Sequence, residues 1–528
     1  MEFTVTKKYM TLPSGRVDNK KVLFYLDGAL VYDLDVNLAD GWEQADFTAY
    51  VDLGRFAGKT LTVVTEPETA LVYGTADEMN LPELYREPLR PCLHFTVKNG
   101  WNNDPNGLVY ADGVYHMFFQ YNPCRAQWGN MHWGHATSRD LVHWTEGDIA
   151  LFPDEYGTMY SGCAVMDEKN RTGLGSAAHP PMLLYYTAAA GCNRMSEGKA
   201  FTQRLFYSTD GGKTFTPYPA PMVEHVAAAN RDPKVVYVDE MQCYVMVLYI
   251  DGNEFQLFSS ADLLHWTHFQ TMTFADENEC PNLTKVPVVT DGKKNGYRWV
   301  LFGAKGIYVV GSFTGGQYVV EQGPARCNSG TNAYAGQVFS GLCDDSVVLI
   351  DWVVAHIQDA RFTQAMSLPV NLTLDRVDGR FMLTHTPIAA LADLRGEKYT
   401  VLGLSQQPQT IFDAKTEAFC ACEWTLDMPY DSDNVVTLQT WGHTVTVDMR
   451  SNEITTDQGA CTLSAERKNV SLHAYVDKGV LEIFADGGRF CFTSRFPYDE
   501  AERTIAVQAQ KPVPDAQMTL YDLKNIWQ

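Results

Sequence analysis

Apolar and polar residues alternate over short runs along most of this chain, and nearly every run is closed by Gly, Pro, Asn or Asp. A period of two marks a half-buried strand, whereas a helix needs apolar residues three and four apart, and that spacing is scarce here. "KVLFYLDGALVYDLDVNL" and "KTLTVVTE" read as strands near the start, and "VVTLQTW", "HTVTVDM", "SLHAYVD", "VLEIFAD" and "RFCFTSRF" near the end. The pattern predicts an all-β protein.

Between these regions one unit repeats. An apolar strand ("VYHMFFQY", "MLLYYTA", "CYVMVLY", "RWVLFGA") is associated each time with small polar residues, a turn and an aromatic, in "ATSRDLVHWTE", "YSTDGGKTFTPY", "FSSADLLHWTHF" and "VGSFTGGQYVVE". The aromatics Trp144, Phe215, Trp266 and Tyr318 stand 71, 51 and 52 residues apart. A period of roughly fifty residues made of short antiparallel strands is what β-propeller blades leave in a sequence. Four units and a closing segment from "AYAGQVFSG" to "MSLPVNLTL" predict a five-bladed β-propeller over residues 92–385. Residues 1–88 then make a small N-terminal β-domain and residues 390–528 a C-terminal β-sandwich, with "LADLRGEKY" as a short helix or a linker.

Composition narrows the function. A net charge of -23 disfavours nucleic acid and anionic membranes, which attract basic patches, and leaves neutral substrates as the best fit. An aromatic content of 12% favours surfaces that stack on sugar rings. No apolar run is long enough to cross a bilayer, and "MEFTVTKKYM" has no apolar signal segment, so a cytoplasmic protein is expected. The 12 cysteines form no CxxC pairs and no His-rich spacing, so neither a metal nor another cofactor is expected, and the thiols read as reduced.

Three acidic motifs fall where innermost blade strands begin. Asp104 lies in "NGWNNDPNGLVY", whose turn chemistry predicts a rigid β-turn; Asp232 lies in "NRDPKVVYV" and Glu279 in "ENECPNLTKV". Each acid is followed by Pro at once or one residue later, then by a strand. Any one alone is an ordinary turn residue. Three in the same blade position predict carboxylates converging on the propeller axis, where the innermost strands point. Two carboxylates across a pocket are what cleavage of a glycosidic bond requires, and a third can hold sugar hydroxyls. Arg231 is expected to keep its neighbour Asp232 ionised and aimed.

"HFTVKNGWNNDPNG", "FFQYNP", "WGNMHWGHATSRDLVHW", "YSGCAV", "NRDPKV", "NECPNL", "VGSFTGGQY", "YAGQVF" and "MSLP" occur in an order that resembles glycoside hydrolase family 32, the invertases, inulinases, levanases and other β-fructosidases. The resemblance covers residues 92–385 and continues through "LHAYVDKGVLEIFADGGRFCFTSRF". "LDGALVYDLDVNLADGW" is similar to a small β-domain on some bacterial members. The resemblance implies an exo-acting retaining enzyme with Asp104 as nucleophile, Glu279 as acid/base and Asp232 as transition-state stabiliser. It also implies a sugar pocket of Asn103, Gln120, Trp128, Tyr160, Ser161 and Arg231, with Tyr334 and Trp352 as walls. The partner it implies is a fructose-containing oligo- or polysaccharide. Gln120 ends an apolar strand and is expected to find its partner in a sugar hydroxyl.

The chain departs from the family pattern at Asn102 (usually Met), Asn278 (usually aromatic) and Cys163 (usually Ser). "SLPVNL" lacks the Arg-Glu after Pro, and "RCNSGTNAYAG" lacks an acid often found there. These changes leave the three acids intact and bear on leaving-group contacts, hence on substrate. Cys163 and Cys280 read as packing residues rather than nucleophiles. A fructosyltransferase would use the same acids, and a silent fructan-binding protein the same surfaces; the intact trio favours the hydrolase over the silent binder.

Overall fold

The computed structural model describes residues 1–290, 292–357, 361–412, 419–463 and 467–527. Its architecture is the all-β one expected. The innermost blade strands are Gly100–Ala111, Thr158–Met166, Arg231–Val238, Asn282–Thr290 and Ala333–Val338. From each, the chain steps outward through antiparallel neighbours, as in Arg231–Val238, Cys243–Asp251, Glu254–Ser260 and Thr267–Thr273 of blade 3. Middle strands are covered by blades on both sides, so they read as continuous apolar runs; all of Met182–Ala189 is buried. Phe118, Trp133, Leu184 and Tyr186 fill the space between blades 1 and 2.

Two features differ from five separate blades. Val288 of blade 4 pairs in parallel with Leu374 of blade 5, which joins the two blades in one nine-stranded sheet. Phe362–Thr363 lies parallel to Gly100–Trp101 and adds a fifth strand to blade 1. The "LADLRGEKY" segment is neither wholly helix nor linker: Ala389–Leu394 forms a 3-10 helix, and Arg395 begins a ten-residue strand.

The N-terminal unit pairs a four-stranded sheet with a three-stranded one, around Phe24, Tyr32, Leu34 and Val51. The C-terminal unit is a sandwich of two six-stranded sheets around Trp424, Leu438, Ile483 and Phe492.

The sandwich is fastened to the propeller by a buried ionic clamp. His94, wholly buried, places Nδ1 2.8 Å from Asp477 and Nε2 2.9 Å from Glu482, both on the sandwich. Asp477 also accepts the backbone N–H groups of Cys92 and Leu93 at 2.7 Å, and Glu482 accepts that of Leu368 at 2.8 Å. Burial alone pulls the imidazole pKa down, but the bonds to Asp477 and Glu482 outweigh it and raise it to about 9.

Because the folded-state value lies above the unfolded one, the clamp's contribution is complete below about pH 6.5 and fades as pH rises through about 9. Asp477→Ala should lower stability by about 3–5 kcal/mol at neutral pH, since it strands a buried charge. Urea unfolding of wild type and variant across pH checks this. A gap that does not narrow on the alkaline side would refute the clamp's charge state.

Candidate active site

The stretch around Asp104 is not a β-turn. Gly100–Ala111 is one strand, and Asn103–Asp104 form a bulge in it, because Asn102 pairs with Tyr121 and Pro105 with Phe119, leaving two residues opposite Gln120 alone. Pro105 is tolerated beside the break in the ladder. The Asn-Asp-Pro-Asn-Gly chemistry that suggests a turn serves here to re-aim a strand.

The same device recurs around the axis. Blade 2 breaks register at Ser161, blade 3 at Asp232–Pro233 and blade 5 at Ala335–Gly336. Asp232 and Ala335 sit at φ +65° and +51°. In blade 4, Glu279 and Cys280, just before the strand, take φ +34° and +43°. Left-handed backbone at non-glycine residues costs of order 1–3 kcal/mol each and collects at functional sites. A side chain at Gly336 would collide with the Asp351 carboxylate, so the blade 5 bulge needs glycine.

The bulges bring the three acids together. Cys280 bridges two of them: its backbone N–H donates to Asp232 Oδ2 at 3.0 Å, and its sulfur lies 3.4 Å from Asp232 Oδ2 and 3.6 Å from Asp104 Oδ2. Arg231 joins the third, donating to Glu279 Oε2 through Nε at 3.1 Å and Nη2 at 2.7 Å. Its Nε is 3.7 Å from Asp232. The expectation that Arg231 aims Asp232 is therefore corrected: the guanidinium donates to Glu279 and, through Nη1, to the Ala229 carbonyl at 2.8 Å, and its effect on Asp232 is through space. Tyr249 supports the guanidinium from below, 4.5 Å from its ring centre.

Asp104 accepts from Ser161 Oγ at 2.6 Å and from Asn103 Nδ2 at 2.9 Å. Asn103 is fixed in turn by Trp101 Nε1 at 2.9 Å. Burial raises the Asp104 pKa, the two donors work against that rise, and the charge of Glu279 adds to it. Asp232 goes further, to about 7, mainly through burial; Arg231 opposes this and the neighbouring Glu279 and Asp104 reinforce it. Thr187 Oγ1 receives the Asp232 backbone N–H at 2.8 Å. The Tyr334 hydroxyl donates to Glu279 Oε1.

The remaining candidates divide. Trp128, 51% exposed, meets Tyr160 edge to face at 6.0 Å, and together they stand at the rim. Trp352 backs Tyr334 at 5.9 Å and is held by Gln364 at 3.0 Å. Gln120 corrects the reading of its sequence: it is 2% exposed and donates to the Met159 carbonyl at 2.7 Å, so it already has a protein partner. Sequence reasoning did not assign Trp101, Thr187 or Tyr249 to the site, and it took Cys280 for packing alone. The first three signal nothing locally; Cys280 directly follows a candidate acid.

Comparison with known proteins identifies the family. Residues 94–386 match the glycosyl hydrolases family 32 N-terminal domain, and residues 424–522 match the family 32 C-terminal domain. The chain belongs to glycosyl hydrolase family 32. A levanase of Bacillus subtilis is 29% identical over 84% of this chain and 72% of its own length. An invertase of Schizosaccharomyces pombe is 30% identical over 84% of this chain and 86% of its own. The crystal structure of exo-inulinase from Aspergillus awamori shares the fold, with a TM-score of 0.75 at 24% identity, covering 85% of this chain and 100% of that one.

Burial, and then the charges of Asp232, Asp104 and Glu279, push the Cys280 thiol far above the ordinary cysteine range. Since the thiolate is the reactive form, Cys280 should resist iodoacetamide in the folded protein while exposed Cys192 and Cys343 are alkylated. Peptide mass spectrometry after timed labelling reads this. Labelling of Cys280 at the rate of Cys192 would mean an open, differently charged site.

Proposed function

We propose that this protein is a retaining β-fructosidase releasing terminal β-D-fructofuranosyl units from fructans, fructo-oligosaccharides or sucrose. The observation that carries this reading is the single cluster of three carboxylates, tied together by Cys280 and Arg231. Family membership and the levanase, invertase and exo-inulinase relatives support the substrate class.

Asp104 is the nucleophile. Its two donors hold one orientation and favour the charged form, which attack on the anomeric carbon requires. Glu279 protonates the departing glycosidic oxygen as the bond from that oxygen to the anomeric carbon breaks and the Asp104 ester forms. It then takes a proton from water, which attacks the ester and restores Asp104. Arg231 and Tyr334 hold the Glu279 carboxyl in one orientation for both halves. Asp232 stands where it can accept hydrogen bonds from sugar hydroxyls, and these strengthen as positive charge develops on the ring.

Ser161, which bonds Asp104, and Gln120 are buried, while Trp128 is half exposed, and on this reading the first two form the closed end of the sugar pocket and Trp128 its mouth. A terminal ring can therefore enter, and an internal ring with chain on both sides cannot. Chromatography of early inulin and levan digests should show free fructose from the first minutes; an early ladder of mid-length oligosaccharides would contradict exo action.

Asp104→Asn should lower turnover by about 10⁴-fold or more, as loss of a nucleophile does. Ser161→Ala removes a bond to the charged form, so the Asp104 pKa rises and the acid limb of kcat/KM should move to higher pH. A limb that stays in place in Ser161→Ala would separate Asp104 from the ionisation that governs the rate.

A further inference from the structure

The N-terminal unit lies outside both matched family regions, and its place against the propeller gives it a use. It is seated by polar bonds to two segments of the pocket rim. On the first segment, which carries Trp128, Arg125 Nε donates to Asn37 Oδ1 at 2.8 Å. The Asn130 amide there exchanges two bonds with the backbone of Asp35, at 2.8 and 2.7 Å. The buried Tyr32 hydroxyl meets His132 Nε2 at 2.6 Å. On the second segment, which carries Cys192, the Arg194 backbone N–H donates to buried Asp33 at 3.0 Å. The propeller's Cys124 is counted within the core of the N-terminal unit, so the apolar packing runs across the junction.

Where the two bodies meet they form a half-open cavity of about 620 Å³. One wall is N-terminal: Arg16, Asn37 and Asp46, with the apolar Val17 and Phe47 between them. The rest of the lining comes from the propeller, where Gln127 and Ile357 are the larger side chains beside Ala126. Each of these two residues adjoins the candidate active site. Gln127 precedes the rim residue Trp128, and Ile357 follows His356, whose ring lies 5.7 Å from that of Trp101, the residue that fixes Asn103. The propeller side of the cavity is therefore continuous along the chain with two segments that reach the candidate active site.

Its chemistry selects a class of ligand. Arg16 and Asp46 lie 3.6 Å apart and balance one another, so the cavity offers no net charge to attract an ion. It presents amide, guanidinium and carboxylate groups of both hydrogen-bonding senses beside apolar side chains, and its size is that of an ordinary small-molecule pocket. Neutral, polyhydroxylated rings with apolar faces fit such a lining.

We propose that this cavity is a binding site for the sugar units that follow the one being cleaved, and that the N-terminal unit thereby sets the preference of the enzyme for chains over a disaccharide. The inference rests on the fructosidase reading above. Groups this far from the scissile bond hold substrate and transition state alike, so they act on KM more than on kcat.

The test compares kcat/KM on sucrose with that on inulin-type and levan-type pentasaccharides, for wild type and the double variant Arg16→Ala/Asp46→Ala. Both side chains are largely exposed, at 72% and 48%, so their removal does not threaten the fold. Lys59→Ala, exposed on the same unit and away from the cavity, is the control. The ratio of pentasaccharide to sucrose kcat/KM should fall roughly three- to tenfold in the double variant, through KM, for at least one linkage type, and stay put in the control. A ratio unchanged for both linkage types, or one that falls equally in the control, would overturn the proposal while leaving the fructosidase reading intact. A wild-type protein that cleaves neither sucrose nor pentasaccharide would overturn the fructosidase reading itself.

Discussion

The site depends on one backbone constraint: innermost strands that break register where they reach the axis. A regular ladder sends alternate side chains into the blade faces on either side, toward the flanking blades rather than toward the axis. One extra residue in a strand turns a side chain out of that alternation. Blades 1, 2, 3 and 5 each carry such a break, at Asn103–Asp104, Ser161, Asp232–Pro233 and Ala335–Gly336. Blade 4 reaches the same end through left-handed backbone at Glu279 and Cys280. The surrounding sheets, buried on both faces, supply the packing that holds this strain.

The electrostatics follow from the crowding. Three carboxylates around one space repel one another and lose solvent, so Asp104 and Asp232 are pushed toward their neutral forms. The neighbours differ among the three acids. Ser161 and Asn103 recover the charged form of Asp104, Arg231 and Tyr334 face Glu279, and Asp232 keeps a backbone donor from Cys280 and the field of Arg231. Groups of one chemical type are thus held by different neighbours.

Much of the fold was legible because propeller strands covered on both faces leave unbroken apolar runs such as "MLLYYTA", and because aromatic-bearing turns recur, the last two intervals being 51 and 52 residues. The acids were legible because each precedes Pro at the head of an inner strand. The bulge at Asp104 was not, since Asn, Asp, Pro and Gly mark a turn and a bulge with the same residues. The partners of Gln120 and Arg231 were hidden for a related reason. They are set by which residues of adjacent blades come together, as with Met159 for Gln120 and Glu279 for Arg231, and neighbours in sequence do not report it. The joining of blades 4 and 5 through Val288 and Leu374 had no local mark either.

The central claim is that the bulge in blade 1 places Asp104, and neither of the other two acids, against the anomeric carbon. Rapid acid quenching of the enzyme during turnover of sucrose, followed by peptide mass spectrometry, tests it most directly. The account predicts one fructosyl residue bound as an ester on the peptide that contains Asp104. A fructosyl ester on Asp232 or Glu279 would contradict it.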